Sequence, residues 1–197
     1  MLKVGITGGI GSGKTTVCKI FETLGIPVYY ADDRAKMLMV EDPVIVKKLK
    51  ELFGEDAYFP DQTLNRAHLS TLVFQDKTLL QQLNAIIHPA VHQDGLQWQA
   101  AQKEVPYTLK EAAILFESGS YKTMDKVITV FANKKLRIAR VKKRDQLTTA
   151  QVEARISKQM PEREKKKLAD FIINNSGHRQ LIPQIWKIHR QLVQLTK

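Results

Sequence analysis

The chain has 197 residues, 43% hydrophobic and 26% charged, and its 31 Lys plus Arg against 20 Asp plus Glu leave a net charge of +11. This length suits one compact α/β core with a modest insertion, and the composition excludes a disordered chain. No apolar run approaches the ~18 residues of a membrane helix, and the single cysteine, Cys18, excludes an internal disulfide or a cysteine metal cluster.

Leu2 to Thr7 is a short apolar run ending at a glycine cluster, the pattern of a buried strand. Met1 to Gly5 leads straight into that run and leaves no room for a signal peptide, so the expected compartment is the reducing cytoplasm. From Lys14 the spacing turns helical, with Val17, Ile20, Phe21 and Leu24 on one face, until Gly25 stops the helix and Pro27 forbids its continuation. Val28 to Tyr30 predicts a second strand, closed by Ala31-Asp32-Asp33.

From about Arg34 to Lys103 the pattern is helical, without convincing buried strands. Asp42-Pro43 joins a capping residue to a first-turn proline, and Val46, Leu49, Leu52 and Phe53 then recur at helical spacing up to Gly54. Arg66 to Phe74 and Lys77 to Ile87 predict further helices, the second ended or kinked at Pro89 before an amphipathic run to about Gln102. Strands return as the apolar runs Ala112 to Phe116 and Val127 to Ala132, the form of parallel strands covered on both faces.

Lys134 to Arg144 and Thr149 to Met160 read as two helices, the second opened by a Thr148-x-x-Gln151 capping box. They carry the basic excess: from Phe131 to Lys167 there are 13 Lys plus Arg against 4 Asp plus Glu. Phe171 to Ile173 is a last short strand, ending in Asn174-Asn175-Ser176-Gly177, and the terminal helix sets Leu181, Ile185, Ile188, Leu192 and Leu195 near one side. Together these elements predict a doubly wound parallel β-sheet flanked by helices, with two helical appendages.

Gly8-Gly9-Ile10-Gly11-Ser12-Gly13-Lys14-Thr15 matches G-x-x-x-x-G-K-[ST], and it follows a strand and opens a helix as that motif requires. Its glycines let the backbone turn tightly, so that N–H groups and the helix N-terminus face phosphate oxygens. Lys14 brings a mobile positive charge to the β- and γ-phosphates, and the Thr15 hydroxyl is placed to ligate Mg²⁺. This is the P-loop NTPase signature, shared by kinases, GTPases and motors.

A guanine-reading N-K-x-D is missing, since Asn133-Lys134-Lys135-Leu136 ends in leucine, and the chain is too short for a large motor. A small-molecule kinase remains. Arg140 and Arg144 lie four apart on one helix face and suit a lid over ATP phosphates, or simply a solvated basic face. Asp32, just past the second strand, suits either a proton acceptor for an attacking hydroxyl or a helix N-cap, and Asp33 competes for both roles. A nucleic-acid-binding protein is the other class the charge suggests, but from Phe131 to Lys167 only Phe131 offers a ring for base stacking.

The motif with Thr16-Val17 resembles the opening of dephospho-CoA kinases, and the likeness continues through Tyr30-Ala31-Asp32, Leu64-Asn65-Arg66, Val73-Phe74, His88-Pro89 and Phe116-Glu117-Ser118. It extends through Arg140, Arg144-Asp145, Gln159, Ala169-Asp170 and Asn174-Asn175, in the family's order over essentially the whole chain. The resemblance implies ATP-dependent phosphorylation of the ribose 3′-hydroxyl of dephospho-coenzyme A, the last step of coenzyme A synthesis, with Mg²⁺. It implies a P-loop core at residues 1–33, 104–133 and 168–197, a helical substrate domain at 34–103 and a basic lid at 134–167.

On the same ground Asp32, Lys14 and Arg140 are the expected catalytic residues, and Gly11, Ser12, Gly13, Lys14, Thr15, Thr16, Arg140 and Arg144 the ATP-binding set. Asp32, Arg66, His88 and Glu117 are expected on the substrate side, with Thr15 as the metal ligand. His88 and Arg66 also fit a packed helix-break histidine and a surface arginine, and Glu117, following the third strand, also fits a structural ion pair. The expected partners are ATP and dephospho-coenzyme A, with neither nucleic acid nor membrane, in a monomer or weak homo-oligomer. Two positions depart from the family pattern: Tyr30 stands where an aspartate is usual, and Lys36 where an arginine is usual.

Overall fold

A computed structural model describes residues 1–196. Strands β1 (Leu2–Thr7), β2 (Val28–Tyr30), β3 (Tyr107–Glu111), β4 (Lys126–Phe131) and β5 (Phe171–Asn174) form one sheet in the order β2-β3-β1-β4-β5. Every neighbouring pair is parallel, in the registers Leu2↔Tyr107, Val28↔Leu109, Val4↔Lys126 and Ile128↔Phe171. Parallel strands need crossovers, and the helices that supply them also bury the sheet. On one face Val4, Ile6, Ile128, Val130 and Ile173 pack with Val17, Cys18 and Phe21 of α1 (Lys14–Thr23) and with Ile185, Ile188 and Leu192 of α9 (Leu181–Gln194). Phe21 meets Tyr107 edge to face, with ring centroids 6.5 Å apart.

The third strand lies one segment earlier than its apolar pattern predicts. β3 is Tyr107–Glu111, and Ala112 to Phe116 leaves the sheet in turns after Ala112 N–H donates to the Ile6 carbonyl at 3.2 Å. The misreading has a physical cause on both sides. Lys110 interrupts the strand's apolar pattern, yet it lays its stem along the sheet with the ammonium 5.8 Å from the Tyr29 ring centre. Leu115 and Phe116 are buried as the pattern requires, but as cover: Leu115 fills the space a side chain at Gly5 would need.

The chain divides into two compact units, Met1–Tyr30 with Gln102–Lys197, and Ala31–Ala101. The second is helical, with α2 (Ala31–Glu41), α3 (Pro43–Phe53), α4 (Arg66–Gln75) and α5 (Lys77–Ala100). Arg34 of α2 grips Asp94 of α5 with two hydrogen bonds, at 2.9 and 2.6 Å, and Ile45, Leu49, Phe53, Leu69, Ile87 and Val91 are buried. Asp42 caps α3 by accepting from Val44 N–H at 2.8 Å. Pro89 neither ends nor splits α5, which runs through it for 24 residues. A proline removes one N–H, and a long helix held on both sides tolerates that loss.

The basic stretch forms three helices rather than two: α6 (Lys134–Asp145), α7 (Thr149–Ser157) and α8 (Glu162–Leu168). Pro161, with φ −56° and ψ 140°, separates the last two and opens α8. The predicted capping box forms at Thr148 and Gln151. This segment belongs to the first unit, and Arg137, Val141, Val152 and Lys165 are buried there.

The placement of β3 is testable by substitution. Leu109→Ala should cost about 2–5 kcal/mol in urea unfolding as a buried strand position. Ile114→Ala, at a residue 40% exposed in the following turn, should stay within about 0.5 kcal/mol. The reverse ranking would move the strand to residues 112–116.

Candidate active site

The carboxyl ends of the parallel strands gather Thr7, Glu111, Asn133 and Asn175 at one edge of the first unit, where ligands of such sheets bind. Between β1 and α1 the chain turns through Gly8 to Gly13. Gly13 sits at the helix N-cap with φ 92°, a left-handed conformation, and an added Cβ there would strike the Asn175 side chain. No side chain caps α1 and its first turn carries no acidic residue, so its positive end is not neutralised from within.

The loop's carbonyl groups are drawn to side chains. Asn175 Nδ2 donates to Ser12 O at 2.8 Å, while Arg140 Nη1 lies 3.4 Å from Gly11 O and 3.5 Å from Ser12 O. Arg140 Nη2 also donates to Asn175 O at 3.1 Å, which fixes the guanidinium against the loop. Lys14 folds back within the site, its Nζ donating to Gly8 O at 3.0 Å and lying 3.7 Å from Glu111 Oε1. Thr15 and Thr16 are exposed in the first turn of α1, and Ser12 is buried.

Arg144, the other expected lid arginine, is elsewhere engaged. Its side chain is 64% exposed and grips neighbouring Asp145 at 2.6 and 3.1 Å, with Arg155 3.3 Å from the same carboxylate. The structure therefore brings Arg140 to the loop and leaves Arg144 at the surface. Glu117 sits after a turn, not after a strand, and its Oε1 accepts from Met160 N–H at 2.8 Å and pairs with buried Lys165 at 3.0 Å. Burial would raise this carboxyl, but the Met160 N–H and the Lys165 ammonium outweigh it and hold the group below the usual carboxylate range.

Asp32, Arg66 and His88 lie in the second unit. Helix α2 begins at Ala31, so Asp32 stands inside its first turn rather than at an N-cap, exposed and favoured by the helix dipole. Asp33 pairs with Lys36 at 2.6 Å. Arg66 is the exposed first residue of α4, behind the Asn65 cap, and His88 is exposed on α5. Tyr30 turns its hydroxyl to Glu22 Oε1 at 3.1 Å, and burial raises its pKa so that the group stays neutral.

Sequence reasoning missed three residues here. Glu111 ends the strand next to β1 and is 7% exposed beside Lys14, and it was hidden because the apolar run begins after it. Arg137 and Glu162 looked like two members of a charged stretch. Arg137 is instead 3% exposed, donating from Nε to Ile10 O at 2.9 Å and from Nη1 to Glu162 Oε1 at 2.9 Å. Glu162 Oε1 also accepts from Gly9 N–H at 3.1 Å, and Gln159 Oε1 accepts from Ile10 N–H at 2.8 Å. Only their contacts in three dimensions separate them from solvated charges.

Residues 2–180 match the family described as Dephospho-CoA kinase. A curated dephospho-CoA kinase from Bacteroides fragilis is 41% identical over 187 residues, covering 95% of this chain and 91% of that protein. A solved protein from Thermus thermophilus is 32% identical with a TM-score of 0.83, over 100% of this chain and 98% of its own. A solved dephospho-CoA kinase from Campylobacter jejuni is 28% identical with a TM-score of 0.73, over 99% and 98%. The phosphate loop, the parallel sheet that carries it and these full-length similarities agree: the chain belongs to the dephospho-CoA kinase family.

Proposed function

We propose that the protein transfers the γ-phosphoryl group of ATP to the ribose 3′-hydroxyl of dephospho-coenzyme A, giving coenzyme A and ADP. The observation that carries this reading is the convergence of Lys14 and Arg140 on an uncapped helix N-terminus built by the P-loop. A phosphoryl group in flight is stabilised by positioned positive charge, and two cations with several N–H groups supply it here. Gly11 to Thr16 cradle the β- and γ-phosphates. Lys14 exchanges the Gly8 carbonyl for a phosphate oxygen, and Arg140 faces the charge that develops during transfer.

Asp32 receives the acceptor. Its carboxylate orients the 3′-hydroxyl and takes its proton as the new P–O bond forms and the bond to the β–γ bridging oxygen breaks, leaving ADP. Little proton transfer is needed before a loose transition state, so orientation is its main contribution. With Tyr30 neutral and directed at Glu22, no second carboxylate from position 30 shares this task. Arg66 and His88, both exposed on the helical unit, bind the substrate's phosphates and ribose. Glu117 anchors the segment that carries the site, through Lys165.

The oxygen donors fit Mg²⁺. Among the described residues no group of three or more His, Cys, Asp or Glu could hold a metal by itself. Mg²⁺ needs no such cage, because it is held by one or two protein oxygens together with phosphates and water. The Thr15 hydroxyl and the Glu111 carboxylate would hold it, and it would neutralise phosphate charge there. We assign residues 34–103 to substrate binding and 134–167 to the lid, in a cytoplasmic enzyme working as a monomer or weak oligomer.

Purified protein with MgATP should convert dephospho-coenzyme A to coenzyme A, followed by coupled ADP release. Asp32→Asn should lower kcat by about 10²-fold or more while leaving ATP affinity nearly unchanged. Wild-type protein that ignored dephospho-coenzyme A but phosphorylated a nucleoside monophosphate would overturn the substrate assignment. Binding of labelled DNA or RNA with a steep salt slope and no response to MgATP would instead favour a nucleic-acid-binding protein.

The two arginines should separate in the same assay. Arg140→Ala should cost about 10²-fold or more in kcat, since it removes a cation fixed against the loop. Arg144→Ala should cost less than about 10-fold, since its charge is spent on Asp145 at the surface. Equal losses would show that the two act as one unit.

A further inference from the structure

We propose that Arg137 and Glu162 are positioning residues, which hold the outer half of the phosphate loop in its phosphate-binding shape from the basic helices. Their contacts to the loop are all to its backbone. Glu162 takes the Gly9 N–H, Arg137 takes the Ile10 carbonyl, and Gln159 takes the Ile10 N–H from the turn between α7 and α8. Arg137 and Glu162 are joined to each other at 2.9 Å, so the loop is gripped by a connected pair and not by separate side chains.

The geometry of the peptide gives this grip its consequence. In a trans peptide the C=O of one residue and the N–H of the next point in opposite directions. Drawing the Ile10 carbonyl to Arg137 therefore turns the Gly11 N–H the other way. The Ser12 carbonyl, held by Asn175 and Arg140, does the same for the Gly13 N–H. Carbonyl oxygens would repel a phosphate, and anchoring them outward leaves donors inward. The conformation that an incoming anion would otherwise have to select is set beforehand by side chains.

Gly9 supports the same reading from a different side. Position 9 is one of the free positions of the phosphate-loop motif, so phosphate binding alone does not demand glycine there. In this chain an added Cβ at Gly9 would strike the Arg137 guanidinium and the Glu162 carboxylate. The glycine is required by the clamp.

A purely structural ion pair would also be expected to behave differently. Arg137 is 3% exposed and the Glu162 side chain 17%, and burial lowers the guanidinium's pKa against the opposing pull of Glu162. Desolvating two charges can cost as much as their attraction returns, so such pairs are often replaceable by apolar residues without loss of stability. What an apolar pair cannot replace is the hydrogen bonding to Gly9 and Ile10.

The test compares stability with MgATP affinity, measured by calorimetric titration of the full chain without any acceptor. It rests on the loop binding ATP and not on the identity of the substrate. Arg137→Met and Glu162→Met should each lower Tm and weaken MgATP binding by about 10-fold or more. The double variant Arg137→Met/Glu162→Met should regain most of the lost Tm, because no unpaired charge remains, while its affinity stays about 10-fold down. Arg137→Lys keeps the charge opposite Glu162 but not the fork that also reaches Ile10 O, so it should melt near wild type and still bind weakly.

Recovery of both Tm and affinity in the double variant, or wild-type affinity in Arg137→Lys, would reduce the pair to packing and overturn the proposal. Failure of wild-type protein to bind MgATP would instead sink the nucleotide-binding reading itself.

Discussion

A chain that leaves β1 at Thr7 and enters α1 at Lys14 has to aim several N–H groups at one point without a side chain of its own to accept them. That constraint organises the rest of the first unit. An uncapped helix start leaves its N–H groups to solvent, and an anion is the partner that its dipole favours most. The fold makes the loop's other polar groups secure. Ser12 N–H closes on Gly9 O at 3.0 Å, Asn175 and Arg140 take the carbonyls of the inner half, and Arg137 and Glu162 take the outer half. The loop is thus surrounded by side chains from β4's and β5's downstream segments, and so depends on parts of the chain more than 120 residues away.

The charges around the loop form a graded set. Lys14 and Glu111 are both nearly buried, 3.7 Å apart, a separation that is electrostatic and not a hydrogen bond. On moving to a phosphate Lys14 exchanges one hydrogen bond, to Gly8 O, whereas Arg137 would have to leave both Ile10 O and Glu162, each at 2.9 Å. Lys165, fully buried on Glu117, anchors α8 in the same static way. The basic excess of the segment therefore splits into buried anchors such as Arg137 and Lys165, Arg140 held against the inner half of the loop, and surface charges such as Arg144 that are paired with a neighbouring carboxylate.

Much of this was legible in the sequence. The strand-loop-helix at Gly8 to Thr15, the helical stretch from about Arg34 to Lys103 (begun three residues earlier, at Ala31), the Asp42 and Thr148 caps and the buried stripe Ile185, Ile188 and Leu192 stand where local pattern puts them. The errors have a common source. Apolar runs report burial, not hydrogen bonding, so Ala112 to Phe116 read as a strand although it is cover, and Tyr107 to Glu111 was passed over because Lys110 and Glu111 break the run. Pro89 failed to end α5 for the complementary reason: a breaker's cost is local, and the packing of a 24-residue helix is not.

The site shows the same limit more sharply. A motif names residues that touch the ligand, because their chemistry is fixed by the phosphate. It cannot name residues that touch the motif, because their chemistry is fixed only by neighbours brought in by folding. Gly13 is glycine because of its own backbone, at φ 92°, and that could be expected from the loop alone. Gly9 is glycine because Arg137 and Glu162 occupy the space beside it, and no local rule contains that information. One loop thus carries glycines of two kinds. Substitution at Gly13 would strain its own backbone besides meeting Asn175, while substitution at Gly9, whose backbone is not left-handed, would displace the pair that orients Gly11 N–H. The specificity of the site for phosphate is therefore set as much by where α6 and α8 lie as by the eight residues of the loop.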